Sequence, residues 1–260
     1  MASAGQVAPP SFVHLAAHPV RWRLLTELAD SDLRVRELVE LVGQPQNLVS
    51  YHLRLLRDSE LITARRSSFD ARDNYYHLNL DRCAHALAAT GAALHPALVA
   101  DTPAAIPLAA DRRLPRVVVL FACTGNSARS PIAEALLRHR TAGGVEVTSA
   151  GSHPKPRLHP HAVRVLRQQY GIDIAAQRPR HLDTLAGRRF DYVITLCDKV
   201  REVCPEFGDH PHRMHWSIPD PAAAGDTGQA SYPAFGRTAA EIDTRVRYLL
   251  PMLAPREAQP

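Results

Sequence analysis

The chain has 260 residues, 45% of them hydrophobic, which allows one or two folded domains with sizeable cores. No apolar run approaches the roughly 20 residues of a membrane span, and the opening MASAGQVAPPSF lacks a basic region followed by an apolar stretch, so a cytoplasmic protein without membrane attachment is expected. The net charge of +5 lies wholly beyond residue 90, because residues 1–90 hold ten arginines against ten acidic residues, so any nucleic-acid contact must come from a local patch.

The first part reads as short helices and then a hairpin. Pro19 to Ala29 fits an amphipathic helix with proline in its first turn. Val35 to Val42 fits a second, stopped by Gly43. After Gln44-Pro45 the chain puts Leu48, Leu53, Leu56 and Leu61 on one side at helical spacing, and Gln46, Asn47, Ser50, Tyr51 and Arg54 largely on the other. LITARRS and NYYHLNL alternate as two strands around the polar tip Ser68 to Arg72. A further helix is expected from Asp81, with Asp81 as its N-cap. Helix, short turn, helix and β-ribbon is the order of an α+β winged helix-turn-helix domain. Such a domain would bring Gln46, Asn47, Ser50, Tyr51 and Arg54 to base edges in the major groove. Arg65, Arg66 and Arg72 would reach phosphate or the minor groove from the ribbon.

HPALVADTPAAIPLAADRRLP, at 95–115, has the alanine and proline content of a semi-rigid linker. Domains are therefore expected at 11–98 and 115–257, with 99–114 between them. The second reads as alternating strands and helices, an α/β domain with a parallel sheet. It begins with a buried strand, Val117 to Phe121, and a helix that opens at Ser130-Pro131. A loop between a parallel strand and a helix N-terminus aims successive backbone N–H groups at one spot and makes an anion cradle. Here that loop is Cys123, Thr124, Gly125, Asn126, Ser127, Ala128, Arg129 and Ser130. Cys123 would be a thiolate nucleophile of lowered pKa, Arg129 a two-pronged donor to the oxyanion, and Ser130 a donor to the sulfur. Asn126 would hold the loop in shape.

The other cysteines are Cys83, Cys197 and Cys204, so the chain has too few for a disulfide scaffold of this size. Cys197 follows an apolar strand, Tyr192 to Leu196. Cys204 comes seven residues later, about 10 Å along a regular helix, too far for a disulfide unless the segment unwinds.

Two resemblances follow from these residues. Around 11–98, LVELVGQPQNLVSYHLRLLRDSELI and the hairpin ending NYYHLNL resemble ArsR-family winged-helix repressors. That resemblance implies operator DNA and a homodimer joined through its terminal helices. Arg34 and Arg36 stand where many arsenic-sensing members carry a Cys-x-Cys pair, so that metalloid site is absent. Cys83 alone cannot replace it, since soft-metal sites need several thiolates. Asp81, His85 and His95 fit no metal-ligand spacing, and no metal is expected.

Residues 115–254 resemble low-molecular-weight tyrosine phosphatases and the thioredoxin-coupled arsenate reductases that share their fold, through Cys-x5-Arg-Ser and the later Asp220-Pro221. The resemblance makes Asp220 a general acid, neutral before the step and in a partly enclosed loop. Leu196-Cys197, Cys204-Pro205, His215-Trp216 and Asp220-Pro221 stand in the reductase order. That order implies a relay from Cys123 to Cys197 to Cys204, with arsenate as substrate and thioredoxin or another thiol as reductant. Ala128 replaces a further cysteine of the loop that takes no part in the relay. Asn126, Glu134 and Ser149 match a potassium site of some members, but its Asp is Arg180 here, whose guanidinium could replace the cation. No cofactor or potassium is expected. The whole reads as a transcriptional regulator fused to an arsenate reductase. The alternatives are a phosphatase fused to a regulator, and a pure regulator with an oxyanion-sensing domain.

Overall fold

A computed structural model describes residues 8–95, 98, 117–208, 210–224 and 231–253. The expected linker, 99–114, lies outside the described residues, as do 115–116 and 254–257 at the edges of the second expected domain. The chain folds as two compact units.

In the N-terminal unit, α1 (Ser11–Ala16) precedes α2 (Pro19–Asp30), α3 (Val35–Val42) and α4 (Gln46–Asp58). Gly43 ends α3 in the left-handed region at φ 67°, where a side chain would be strained. Leu24, Leu28, Leu38, Val49, Leu53 and Leu56 converge as its core, joined by Leu61 and Ile62 at the start of the ribbon. Leu61 thus lies beyond α4 rather than on it, because the helix ends at Ser59. The ribbon is β2 (Ile62–Arg66) against β3 (Asn74–Leu78), with Ala64 opposite Tyr76. The two-residue β1 (Leu33–Arg34) pairs with the free side of β3. Helix α5 runs from Leu80 to Leu94. Its N-cap is Asn79, whose Oδ1 accepts from the Arg82 amide at 3.1 Å, and Asp81 sits in the first turn instead of capping it. Asn79 wins because its backbone is still non-helical, which a capping side chain requires.

The C-terminal unit is a parallel sheet in the order β5-β4-β6-β7, made of β4 (Val118–Cys123), β5 (Glu146–Gly151), β6 (Tyr192–Thr195) and β7 (His212–His215). α6 (Arg129–Arg140) follows β4, α7 (Pro160–Tyr170) follows β5, and α8 (Asp198–Val203) follows β6. α9 (Tyr232–Leu253) packs on α6, where Arg140 grips Asp243 with two bonds of 2.6 Å. The apolar run of β4 is buried to the last residue, and so is α6 from Arg129 to Leu137. Since β4 sends the chain to β5 on one side and β6 lies on the other, the order reverses between β4 and β6. The crevice beyond the carboxyl ends of strands at such a reversal is where open α/β sheets bind ligands. Cys123 ends β4 at that point, and Cys197 stands two residues beyond β6, at the cap of α8.

Candidate active site and recognition helix

The loop after β4 is shaped by its neighbour. Cys123 pairs with Gly151 across the sheet, and the chain beyond Gly151 turns over the loop as a strap. Amides of Ser152, His153, Lys155 and His159 donate to the carbonyls of Cys123, Thr124, Gly125 and Ser127 at 3.3, 2.9, 2.9 and 2.8 Å. A trans peptide points its N–H opposite its carbonyl, and the described chain has no cis bond, so these bonds turn the amides of Thr124, Gly125, Asn126 and Ala128 away from the strap. Gly151 permits the approach, since a Cβ there would lie 2.5 Å from the Thr124 carbonyl oxygen.

Asn126 holds the loop from within. It is 1% exposed and adopts φ 42°. Its Nδ2 donates to Ser130 Oγ and Ser149 Oγ, both at 2.9 Å, and its Oδ1 accepts from the Arg180 amide at 2.8 Å. The Ser130 hydroxyl stands 3.0 Å from Cys123 Sγ. Ser127 and Ala128 line the cleft with Cys123, Thr124, Gly125 and Arg129. Thr124 contributes differently from its neighbours, because its hydroxyl meets Cys197 Sγ at 3.2 Å.

Charge in the site departs from expectation at two points. Burial pushes the Cys123 thiol up, against the lowering pull of Arg129 and of hydrogen bonds with Ser130; the sequence had led to a lowered value. Arg129 is divided, donating to the Ile218 carbonyl at 3.0 Å and pairing with Asp220 at 3.1 Å. Asp220 is itself 49% exposed, where a partly enclosed acid was expected. A short 3-10 turn, Pro221–Ala224, follows it, and the carboxylate is open to water as well as paired with Arg129.

Cys197 caps α8 at its start and Cys204 at its end, so six helical residues separate the two thiols. All four cysteines are free. The first turn of α8 is pinned by a buried polar cluster. Asp198 Oδ1 accepts from Ser217 Oγ at 2.8 Å and meets His215 Nε2 at 3.1 Å, while His215 Nδ1 meets Thr195 Oγ1 at 2.8 Å. Burial alone would raise the Asp198 carboxyl, yet the hydrogen bonds outweigh it and hold the group well below the usual carboxylate range. At the other end of α8 Val203 is 57% exposed, while Cys204 packs against the core and Arg213 donates to the Pro205 carbonyl at 2.6 Å. Burial also pushes the Cys204 thiol up, with Arg213 pulling the other way.

The guanidinium at Glu134 belongs to a residue other than the expected one. Arg138 meets Glu134 Oε1 at 2.5 Å, and Ser149 donates to Oε2 at 2.6 Å. Arg180 turns to Thr148 Oγ1 at 3.3 Å instead. An Arg four residues after a Glu on one helix was a readable signal for this pair.

In the N-terminal unit α4 separates its faces cleanly. Gln46, Asn47, Tyr51 and Arg54 are exposed and Ser50 half-exposed, opposite Val49, Leu53 and Leu56. Arg66 and Arg72 are exposed and Arg65 half-buried on the ribbon. His52 on α4 faces inward, 3% exposed, with its ring 4.4 Å from that of His18 and neither ring nitrogen hydrogen-bonded among the described residues. Burial, then His18 and Arg21, push its pKa down, so it packs as a neutral ring. Where sensing cysteines would stand, Arg34 reaches Glu37 at 3.1 Å and Asp73 at 3.6 Å, and Arg36 reaches Asp73 at 3.4 Å.

Among the described residues no helix is long and apolar enough to cross a membrane. Residues 118–259 match the family model for low molecular weight phosphotyrosine protein phosphatases, and residues 18–64 match that for bacterial regulatory proteins of the arsR family. An arsenate reductase of Shouchella clausii is 37% identical over 132 residues, 50% of this chain and 92% of that protein. One from Halalkalibacterium halodurans is 35% identical over 130 residues, 50% of this chain and 92% of its own. One from Bacillus licheniformis is 36% identical over 129 residues, 50% and 91%. The chain belongs to the low molecular weight phosphotyrosine protein phosphatase family, through a domain similar to arsenate reductases, and carries an arsR-family helix-turn-helix region ahead of it.

Proposed function

We propose that the C-terminal unit reduces arsenate to arsenite through a three-thiol relay and that the N-terminal unit is an operator-binding regulator, making the chain bifunctional. The observation that carries the relay is Cys197 beside the oxyanion loop, its sulfur 3.2 Å from the Thr124 hydroxyl. Arsenate binds the amides of residues 124–128 and takes the Arg129 guanidinium, which frees Asp220 from its ion pair. The Cys123 sulfur attacks arsenic as its thiol proton is given up, and Asp220, freed from Arg129, passes a proton to the departing hydroxyl, so that the thiol proton and the arsenate hydroxyl leave together as water. The Cys197 thiolate then attacks Cys123 Sγ. A disulfide forms, the arsenic–sulfur pair of electrons stays on arsenic, and arsenite departs. Cys204 attacks Cys197, returning Cys123 as thiolate and leaving a Cys197–Cys204 disulfide for thioredoxin or another dithiol. Unwinding of the six-residue α8 would bring Cys204 across the distance that a regular helix imposes.

For the regulator, the polar face of α4 meets base edges through Gln46, Asn47, Ser50, Tyr51 and Arg54, and Arg65, Arg66 and Arg72 meet the DNA backbone. Exposed Leu87 and Leu94 on α5, with Leu98 beyond it, support a homodimer through this terminal helix. Purified protein given arsenate, thioredoxin, thioredoxin reductase and NADPH should oxidise NADPH, and Cys197→Ser or Cys204→Ser should abolish it. Hydrolysis of p-nitrophenyl phosphate untouched by those changes, with no arsenate turnover, would instead make it a phosphatase.

A further inference from the structure

The oxyanion loop forms only the floor of a cleft of about 500 Å³. That is within the ~300–1,000 Å³ that holds small organic ligands. A tetrahedral oxyanion leaves most of it unfilled. One wall is the strap beyond Gly151, laid in register on the loop by its four backbone hydrogen bonds. Pro154, Pro156 and Pro160 fix φ along it, so its side chains have set starting points. The Lys155 stem lies on the loop itself, its Cγ 3.3 Å from where a Cβ on Gly125 would be. Pro156, Leu158, Pro160 and Ala222 give the cleft an apolar middle.

Lys155 and Arg157 also line the cleft and are exposed. Among the described residues neither forms an ion pair or a side-chain hydrogen bond. Asp220, the carboxylate lining the cleft, is engaged by Arg129. The cleft therefore combines the Arg129 cation, a group of apolar side chains and two further, uncommitted cations.

We propose that Lys155 and Arg157 form a second anion subsite, and that the cleft takes an organic monoester of a tetrahedral oxyanion whose organic part bears a carboxylate. The oxyanion sits in the Cys123 loop, the organic body lies over Leu158 and the prolines, and the carboxylate lies between the two cations. This rests on the oxyanion-loop reading above.

Calorimetry on full-length Cys123→Ser, which cannot consume a ligand, tests it with three probes at low salt: inorganic phosphate, phenylphosphonate and 4-carboxyphenylphosphonate. The carboxylated probe should bind about tenfold more tightly than phenylphosphonate, as two partly exposed ion pairs supply. Adding Lys155→Ala and Arg157→Ala should shrink that gap below about twofold, while any weakening of phosphate, since the Lys155 stem rests on the loop, should be shared by phenylphosphonate. Equal affinity for the two phosphonates, or a gap that survives the double change, overturns the subsite. Binding of phosphate but of neither phosphonate overturns the subsite alone. Failure of phosphate itself to bind overturns the oxyanion loop and the subsite with it.

Discussion

The two units hold their candidate functional residues in opposite ways. On α4 they are exposed, with Tyr51 at 51%, and the helix is held by other residues on its far side. In the C-terminal unit the residues at the heart of the loop are buried, with Cys123 2%, Asn126 1%, Arg129 6% and Ser130 0% exposed, and Asp220 is the open one. A surface that meets a large partner can be changed without disturbing the fold beneath it. A cradle for a small anion must exclude water and aim its donors, so its residues carry both chemistry and structure. Substitutions in the second unit should therefore move activity and stability together unless they preserve shape, whereas those on α4 should move binding alone.

Cys123→Ser is the sharpest shape-preserving case. It keeps volume and the contact with Ser130 but replaces the thiol by a far weaker nucleophile and forms no disulfide. Arsenate turnover should fall at least about 1,000-fold, with a melting temperature close to wild type. A variant that keeps turnover would show that the loop is not the reacting centre. Gly151→Ala breaks shape without touching chemistry. The added Cβ would press on Thr124 and Asn126, costing about 1–3 kcal/mol and weakening phosphate binding, both measurable by denaturation and calorimetry. Unchanged phosphate affinity in a stably folded Gly151→Ala protein would detach the strap from the loop's geometry.

What the sequence makes legible follows from distance along the chain. The loop from Cys123 to Ser130 is contiguous, and strand, loop and proline-led helix are local signals. The winged-helix order is local too, and the two-domain layout matches the families found. The strap is not legible. HPKPRLHP reads as a proline-rich loop, and only the pairing of Cys123 with Gly151 lays it on the cradle. Two-residue β1 has no periodicity to read and exists because Leu33 meets Tyr76. Asp81 and Asn79 are both good caps two residues apart, and the backbone, not the side chain, chose between them. The Arg129–Asp220 pair joins residues 91 apart, so the chemistry of each was legible but their mutual engagement was not.

Asp198→Asn separates charge from shape at the root of α8. The amide keeps the volume but cannot accept all the hydrogen bonds that the carboxylate does. The loss should be about 1–3 kcal/mol near neutral pH. Because the folded carboxyl is held below its unfolded value, its contribution is present above about pH 4 and is lost as the pH falls below that. Urea denaturation should thus find the stability gap between wild type and variant full at pH 7 and closing toward pH 3. A gap of constant size would assign the effect to packing instead.

Arg54→Ala probes the opposite regime and should have the smallest effect on the fold. Arg54 is exposed, and Val49, Leu53 and Leu56 hold α4 from the other side, so denaturation should stay within about 0.5 kcal/mol of wild type. Operator affinity in a mobility shift should nevertheless fall by about 1–3 kcal/mol if the guanidinium reads a base, and the variant would then discriminate less between operator and random DNA. If it meets phosphate, both DNAs should weaken together and the salt dependence should lose about one ion. Wild-type protein that binds no DNA at low salt would remove the regulator from the first unit. A large stability loss in Arg54→Ala would show that α4, like the cradle, ties function to fold, and the contrast between the two units would fail on the side where it should be safest.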